Sequence, residues 1–271
     1  METGKANKIE TKNFDITHPE QYHLSVEIGL KQLSYCIIDK TTYKVELFKR
    51  LIINEDLFSV INNDDIIKLN FASSSVLLVN FPSTIIPSDF FSEKKMKDIL
   101  DFSTKTYNII KSDLLSKINS YLVYTIPDSV NDILFTFFPN AKQKAQQSQL
   151  IEQYTMIDEN LNNAYLYIDG SKLNITAFKN SKLILNNSFH IDTKEDILYH
   201  TLFTFEQLKL DTENVIVKLY GNINKGDENH QLLYEYIRNI DFGLRPKNLI
   251  FSKEFNTIPE HQFYSLFSST I

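Results

Sequence analysis

The sequence predicts an α/β fold of mixed sheets in which one unit, three strands, a helix and a fourth strand, occurs twice. Three observations predict it. AYLYIDG sets Ala164, Leu166 and Ile168 against Tyr165, Tyr167 and Asp169 in the period of two of a strand, and KLNITAF and KLILNNSFH repeat that period around the polar turn KNSK. Thr193 then opens a helix, with Asp196 in capping-box position and Glu195 in the first turn, before the unbroken apolar run NVIVKLY, which suits a strand covered on both faces. The same order recurs earlier: residues 24–30, 33–38 and 43–48 read as strands, 54–68 as a helix and SSVLLVN as the next strand. Residue identity between the copies is slight, so what repeats is architecture.

The remaining elements fall around these copies. Residues 1–20 are polar, lack the apolar core of a signal peptide, and read as a flexible tail. The first subdomain is expected over 21–160, with an insertion at about 81–125, and the second over 161–271. Within the insertion, FPSTIIPSDFF carries two prolines and must be loop or sheet edge, 92–102 is a helix, and TYNIIKSD and SYLVYTI are strands of a small added sheet. Pro127 opens a helix that Pro139 stops, and AKQKAQQSQLIEQYTMIDEN is a helical link between the halves. After residue 220, a loop leads to a helix over 230–239, NLIFS is the last strand, and 259–267 is a closing helix. The apolar positions of the helix opened by Thr193 (Ile197, Leu198, Leu202, Phe205, Leu208, Leu210) follow helical spacing only loosely, which predicts a well-buried helix. Three antiparallel strands feeding a strand–helix–strand crossover is a ribonuclease H-like layout. Two in tandem, with an insertion in the first, is the arrangement of the actin-like ATPases.

The segment ILNNSFHIDTKEDILYHTLFTFEQLKLD resembles a family of uncharacterised bacterial proteins classed as a domain of unknown function. The features that carry the resemblance are an Asn-x-x-Phe strand (Asn186, Phe189), a Glu-Asp-x-x-Tyr helix start (Glu195, Asp196, Tyr199) and a Glu-Gln-Leu helix end (Glu206, Gln207, Leu208). The resemblance covers nearly all the chain beyond the tail. It implies an actin-like fold, akin to the actin-like proteins of pilus assembly and cell division, and establishes no activity.

Composition narrows the function. The chain has 271 residues, a net charge of −6 and only 3 arginines against 25 lysines, which argues against nucleic acid as a partner and leaves few bidentate phosphate clamps. No run reaches the roughly 20 apolar residues of a membrane helix. The single cysteine, Cys36, lies in a strand-like run and reads as a buried, inert thiol. These features predict a cytoplasmic protein.

An actin-like ATPase needs two phosphate-cradling hairpins, a carboxylate from each half for hydrated Mg²⁺, and a glycine-rich loop beneath adenine. The candidates are Glu27 and Gly29 in the first hairpin, Asp169 and Gly170 in the second, and Gly221 in the adenine loop. Each has a plainer reading. Glu27-Ile28-Gly29 stands where the superfamily has Asp-x-Gly, but the turn after it, LKQL, lacks small hydroxyl residues. Asp169-Gly170 is also the signature of a two-residue type I′ turn. Overlaying the copies on Leu33 and Leu173 sets Asp169 against Gly29 and Tyr167 against Glu27. Six glycines in the whole chain are too few for three loops that hug phosphate and base.

Other chemistries find no candidate. There is no Walker or dinucleotide-binding glycine pattern, no nucleophile elbow and no Cys/His cluster, and VIVKLY lacks the acid that a two-metal nuclease would place there. Two functions remain: a non-catalytic actin-like scaffold without cofactor, binding a protein partner through the insertion around Phe90 and Phe91, or a divergent ATPase using Mg·ATP. Bulky Tyr165 or Tyr167 filling the nucleotide cleft would favour the scaffold.

Overall fold

The computed structural model describes residues 7–12, 14–104, 106–157 and 162–269. The chain divides into two compact units, residues 1–149 with 246–257 and 265–271, and residues 150–245 with 258–264.

In the first unit, β1 (Asn7–Glu10), β2 (Tyr22–Gly29), β3 (Gln32–Asp39), β4 (Lys44–Ile52) and β5 (Ser73–Leu78) build most of one sheet, with α1 (Leu57–Asn62) before β5. An insertion follows, made of β6 (Ser83–Pro87), α2 (Met96–Ser103), β7 (Ile109–Leu115) and β8 (Ser120–Ile126). Then come α3 (Asp128–Phe137) and β9 (Lys142–Ala145). The main sheet runs β1-β4-β3-β2-β5-β9. β2, β3 and β4 are antiparallel neighbours, β5 is parallel to β2, and β9 is parallel to β5. Leu24, Val26 and Ile28 of β2 are buried on one face; His23, Ser25 and Glu27 point to the other, the alternation that a pleated strand imposes.

After α4 (Gln146–Ile157), the second unit repeats this plan: β10 (Asn163–Asp169), β11 (Lys172–Lys179), β12 (Lys182–His190), α5 (Lys194–Leu208), β13 (Ile216–Gly221), α6 (Glu228–Tyr236) and β14 (Asn239–Phe242). Its sheet order is β12-β11-β10-β13-β14, with β13 parallel to β10 and β14 parallel to β13. Ignoring the extra edge strands, both sheets run third, second, first, fourth, fifth. The expected duplication is real at the level of topology. The capping box of α5 is present as read, with Asp196 N–H donating to Thr193 and Asp196 accepting from the Thr193 N–H at 2.9 Å. Ala164, Leu166, Ile168, Ile175, Val217 and Leu219 form the core beneath Ile197 and Phe205.

Several expected elements differ. Part of the tail is sheet: β1 pairs antiparallel with β4, because such pairing satisfies backbone groups whatever the side chains, while residues 1–6 and 13 lie outside the described residues. α1 ends at Asn62 instead of reaching Lys68. Its Asp56 caps Ser59, and the buried Asp64 stops it by accepting from the Ile66 N–H while also holding Lys49 at 2.7 Å and the Tyr35 hydroxyl at 3.0 Å. The start of the expected 141–160 helix is instead β9, a short lysine-bearing edge strand.

β15 (Ile250–Phe251), expected as the last strand of the second copy, pairs with β4 of the first unit. The second copy's fifth strand is β14, because only Ile237 and Arg238 separate it from α6, leaving the chain no length to go elsewhere. The closing helix is shorter than read, α7 (Tyr264–Ser268).

The insertion forms its own three-stranded antiparallel sheet, β6-β8-β7, with FPSTIIP supplying an edge strand. Leu100 of α2 packs there on Ile86 and Val123. Cys36 is buried, and burial pushes its thiol far above the usual range. Among the described residues, no helix is long and apolar enough to cross a membrane.

Candidate functional site

Both first hairpins close with two residues. Leu30 and Lys31 turn between the Gly29–Gln32 pair, and Gly170 and Ser171 turn between Asp169 and Lys172. Ile28 faces Leu33 in one and Ile168 faces Leu173 in the other, so Glu27 occupies the register position of Tyr167, and Gly29 that of Asp169. The two candidate carboxylates therefore sit at different depths on equivalent strands.

Within the first unit, the Glu27 side chain is only 4% exposed, and the Ser265 hydroxyl donates to its carboxylate. That serine in turn accepts from Gln146 Nε2 at 3.0 Å, while Ser25 donates to the Leu266 carbonyl at 2.9 Å and Gln149 to the Ser268 carbonyl at 2.7 Å. Residues 265–269 thus seal a polar layer over the β2 face that carries Glu27. A hydrated Mg²⁺ needs a carboxylate open to several waters. This one is enclosed by its own chain. Gly29 has an ordinary backbone conformation, and a Cβ there would lie 3.2 Å from the flexible Gln32 Cγ, so neither strain nor hard crowding requires glycine here.

The same face carries His23, whose ring bonds the Ser73 hydroxyl through Nδ1 at 2.8 Å and the Ser75 hydroxyl through Nε2 at 2.9 Å. Burial, with Lys40 and Lys142 nearby, pulls its pKa down to about 4 from 6.5. Above pH 6.5 the ring is neutral in both folded and unfolded chains and adds no pH dependence. As pH falls from 6.5 to about 4, the unfolded chain takes up a proton that the folded one refuses, so stability drops by roughly 3 kcal/mol. Urea midpoints across that window should fall in the native chain and flatten in His23→Gln; parallel profiles would contradict this placement.

In the second unit, Asp169 is half-buried at the end of β10, beside Gly170. Gly170 has φ +58° and nothing within 4 Å of an added Cβ. Only the first turn residue takes a positive φ, the pattern of a type II′ turn rather than the expected I′; the turn with two positive values is Asn180–Ser181. Gly221 ends β13 opposite Ile168, so β10 and β13 bring Asp169, Gly170 and Gly221 to one end of the sheet. Gly221, however, is enclosed. Its φ is +80°, an added Cβ would lie 2.1 Å from the Ile168 carbonyl oxygen, and its N–H donates to the His261 carbonyl at 3.1 Å. His261 Nε2 meets the Ile223 carbonyl at 2.5 Å and closes the loop from above. The glycine is required by the chain's own crowding.

Opposite the α5 side of this sheet, Tyr165, Tyr167, Phe178 and Tyr220 form a buried cluster with Leu150, Tyr154 and Tyr264. Tyr154 stacks on Tyr165 with centroids 4.0 Å apart. Tyr220 lies so close to Gly243 that a Cβ there would meet its ring at 2.0 Å. Sequence reasoning singled out Tyr165 and Tyr167 through strand alternation, but it missed Tyr154, Tyr220, Tyr264 and the serine that meets Glu27. Their partners are remote in sequence, and no local spacing marks them. No group of three His, Cys, Asp or Glu side chains suited to a metal occurs among the described residues.

The fold has solved counterparts. A Bacteroides thetaiotaomicron VPI-5482 protein described as having an actin-like ATPase fold and unknown function matches 85% of this chain and 93% of its own, at 21% identity and TM-score 0.77. The PilM–PilN type IV pilus biogenesis complex matches 93% of this chain and 98% of its own, at 11% identity and TM-score 0.60. At such identities the likeness is one of fold, and the fold is actin-like, two ribonuclease H-like units in tandem. No curated protein matches the sequence. The family model described as "Protein of unknown function (DUF3822)" matches residues 11–240, and the chain belongs to that family.

Proposed function

We propose that this protein is a non-catalytic actin-like scaffold that works inside the cell by binding a protein partner. The observation that carries this reading is Glu27: the first-hairpin carboxylate is buried and takes the Ser265 hydroxyl, so folding has already used the group that would hold Mg²⁺. Gly221, wedged against the Ile168 carbonyl, supports it from the second unit. A relative in fold, PilM, occurs in complex with another protein, PilN. The insertion offers the first surface to test. Phe91 stacks on Tyr121 at 3.7 Å and belongs to the insertion's own packing, whereas Phe90 is 75% exposed.

The competing reading, a divergent ATPase holding Mg·ATP through Glu27, Asp169 and Gly221 with Gly29 and Gly170 in the hairpins, predicts stabilisation by nucleotide. Ligand at about 100-fold over Kd would add roughly 2.7 kcal/mol and raise Tm by roughly 5–10 °C for a chain of this size. The expected result with millimolar Mg·ATP, Mg·ADP or Mg·GTP is an unchanged melting curve. A rise that disappears in Glu27→Ala would reject the scaffold.

A further inference from the structure

The helix α5 carries two apolar faces. Ile197, Thr201, Thr204 and Phe205 are buried toward the sheet. At about 100° per residue, Leu198, Tyr199, Leu202 and Phe203 centre on nearly the opposite side. There Tyr199 is 61% and Phe203 47% exposed, with their rings near-parallel at 5.8 Å, and Leu198 and Leu202, which also pack against the core, reach the groove's edge beside them. The six apolar positions read for this helix, Ile197, Leu198, Leu202, Phe205, Leu208 and Leu210, all lie in or against the core as expected; Tyr199 and Phe203 are not among them, and they add a face turned to solvent. Glu195 and Glu206 bound the same shallow groove. They lie eleven positions apart, almost in line on the helix surface and about 16 Å along its axis. Both are exposed. The nearby Lys194 pairs with Glu228 at 3.0 Å and feels Glu195 only as a weaker neighbour.

We propose that this face of α5 docks an amphipathic basic helix of a partner protein. The partner's aliphatic stripe would lie over Leu198, Tyr199, Leu202 and Phe203, and a lysine or arginine near each end would meet Glu195 and Glu206. Charge selects this occupant. A second copy of the chain laid on the same face would set Glu206 against Glu195 in a two-fold arrangement, or each acid against itself in a parallel one, so self-pairing repels at both ends. An anionic lipid surface is repelled likewise. The inference holds whether or not nucleotide binds, and it concerns a surface separate from the insertion.

The test uses the full chain and a labelled alanine-based helical peptide bearing a leucine stripe and two lysines eleven residues apart, with a second peptide in which glutamates replace the lysines. Fluorescence anisotropy should show saturable binding of the lysine peptide, at least about tenfold tighter than the glutamate peptide and weakened by salt. The E195K/E206K variant should invert the preference, and Tyr199→Ser with Phe203→Ser should weaken binding of the lysine peptide. All four positions are solvent-facing, and unchanged circular dichroism melts would confirm folded variants. Absence of saturable binding, equal affinity for both peptides, or no inversion would overturn the proposal. So would a dimer in sedimentation that the Tyr199→Ser and Phe203→Ser changes dissolve.

Discussion

Tyr165→Ala is expected to destabilise the protein by about 3–5 kcal/mol, the range for removing a buried aromatic side chain. Tyr165 is 1% exposed, stacks on Tyr154 at 4.0 Å with an interplanar angle of 7°, and meets Phe178 edge-on at 5.9 Å. Truncation leaves a cavity bounded by rings on two elements, and neighbouring strands hold its walls apart. A paired substitution separates packing from polarity. The Tyr154 hydroxyl is buried with no hydrogen-bond partner among the described residues, and burial pushes its pKa well above the ordinary tyrosine value. Tyr154→Phe keeps the stack and removes the unpaired group, so it should be neutral or stabilising by about 1 kcal/mol. Urea unfolding followed by tyrosine fluorescence measures both, since the chain has no tryptophan. A Tyr165→Ala effect under about 1 kcal/mol would mean the aromatic cluster is not a packed core.

Gly221→Ala should cost upwards of about 3 kcal/mol, because the new Cβ is forced onto a backbone oxygen at a φ that L residues rarely adopt. The Ile168 carbonyl cannot swing aside easily, since it also accepts from the Asn222 N–H at 2.6 Å. Gly170→Ala is the control. It shares a positive φ but meets nothing within 4 Å, so only the conformational penalty of about 1 kcal/mol applies. Unfolding midpoints without any nucleotide should rank native, Gly170→Ala and Gly221→Ala in that order. Equal effects would show that crowding is not why residue 221 is glycine.

Much of the fold was legible from strand alternation. AYLYIDG, KLNITAF and the Thr193 capping box each state their element locally, and their repeated order carries the duplication. The short strands were not legible. KQKA has little apolar content and NIDF is only four residues long, and they become strands because β5 and β13 offer edges in parallel register. NLIFS reads as a strand and is one, yet its partner, Lys44–Val45, is some 200 residues away and leaves no trace in its composition. The candidate site divides the same way. Glu27 and Gly221 were found by spacing, but what encloses them comes from residues 261–269, which local pattern cannot connect to either. Tyr199 was read only as part of the family resemblance and Phe203 not at all, because the spacing used for this helix picks out the positions that face the core.

The most direct measurement is a calorimetric titration of the full chain with Mg·ATP, repeated on Glu27→Gln, which keeps the shape of the buried side chain beside Ser265. If the hairpin carboxylate serves folding alone, neither protein should release saturable heat at millimolar nucleotide. A saturable isotherm in the native chain that vanishes in Glu27→Gln would show the carboxylate to be a working ligand and would contradict the account.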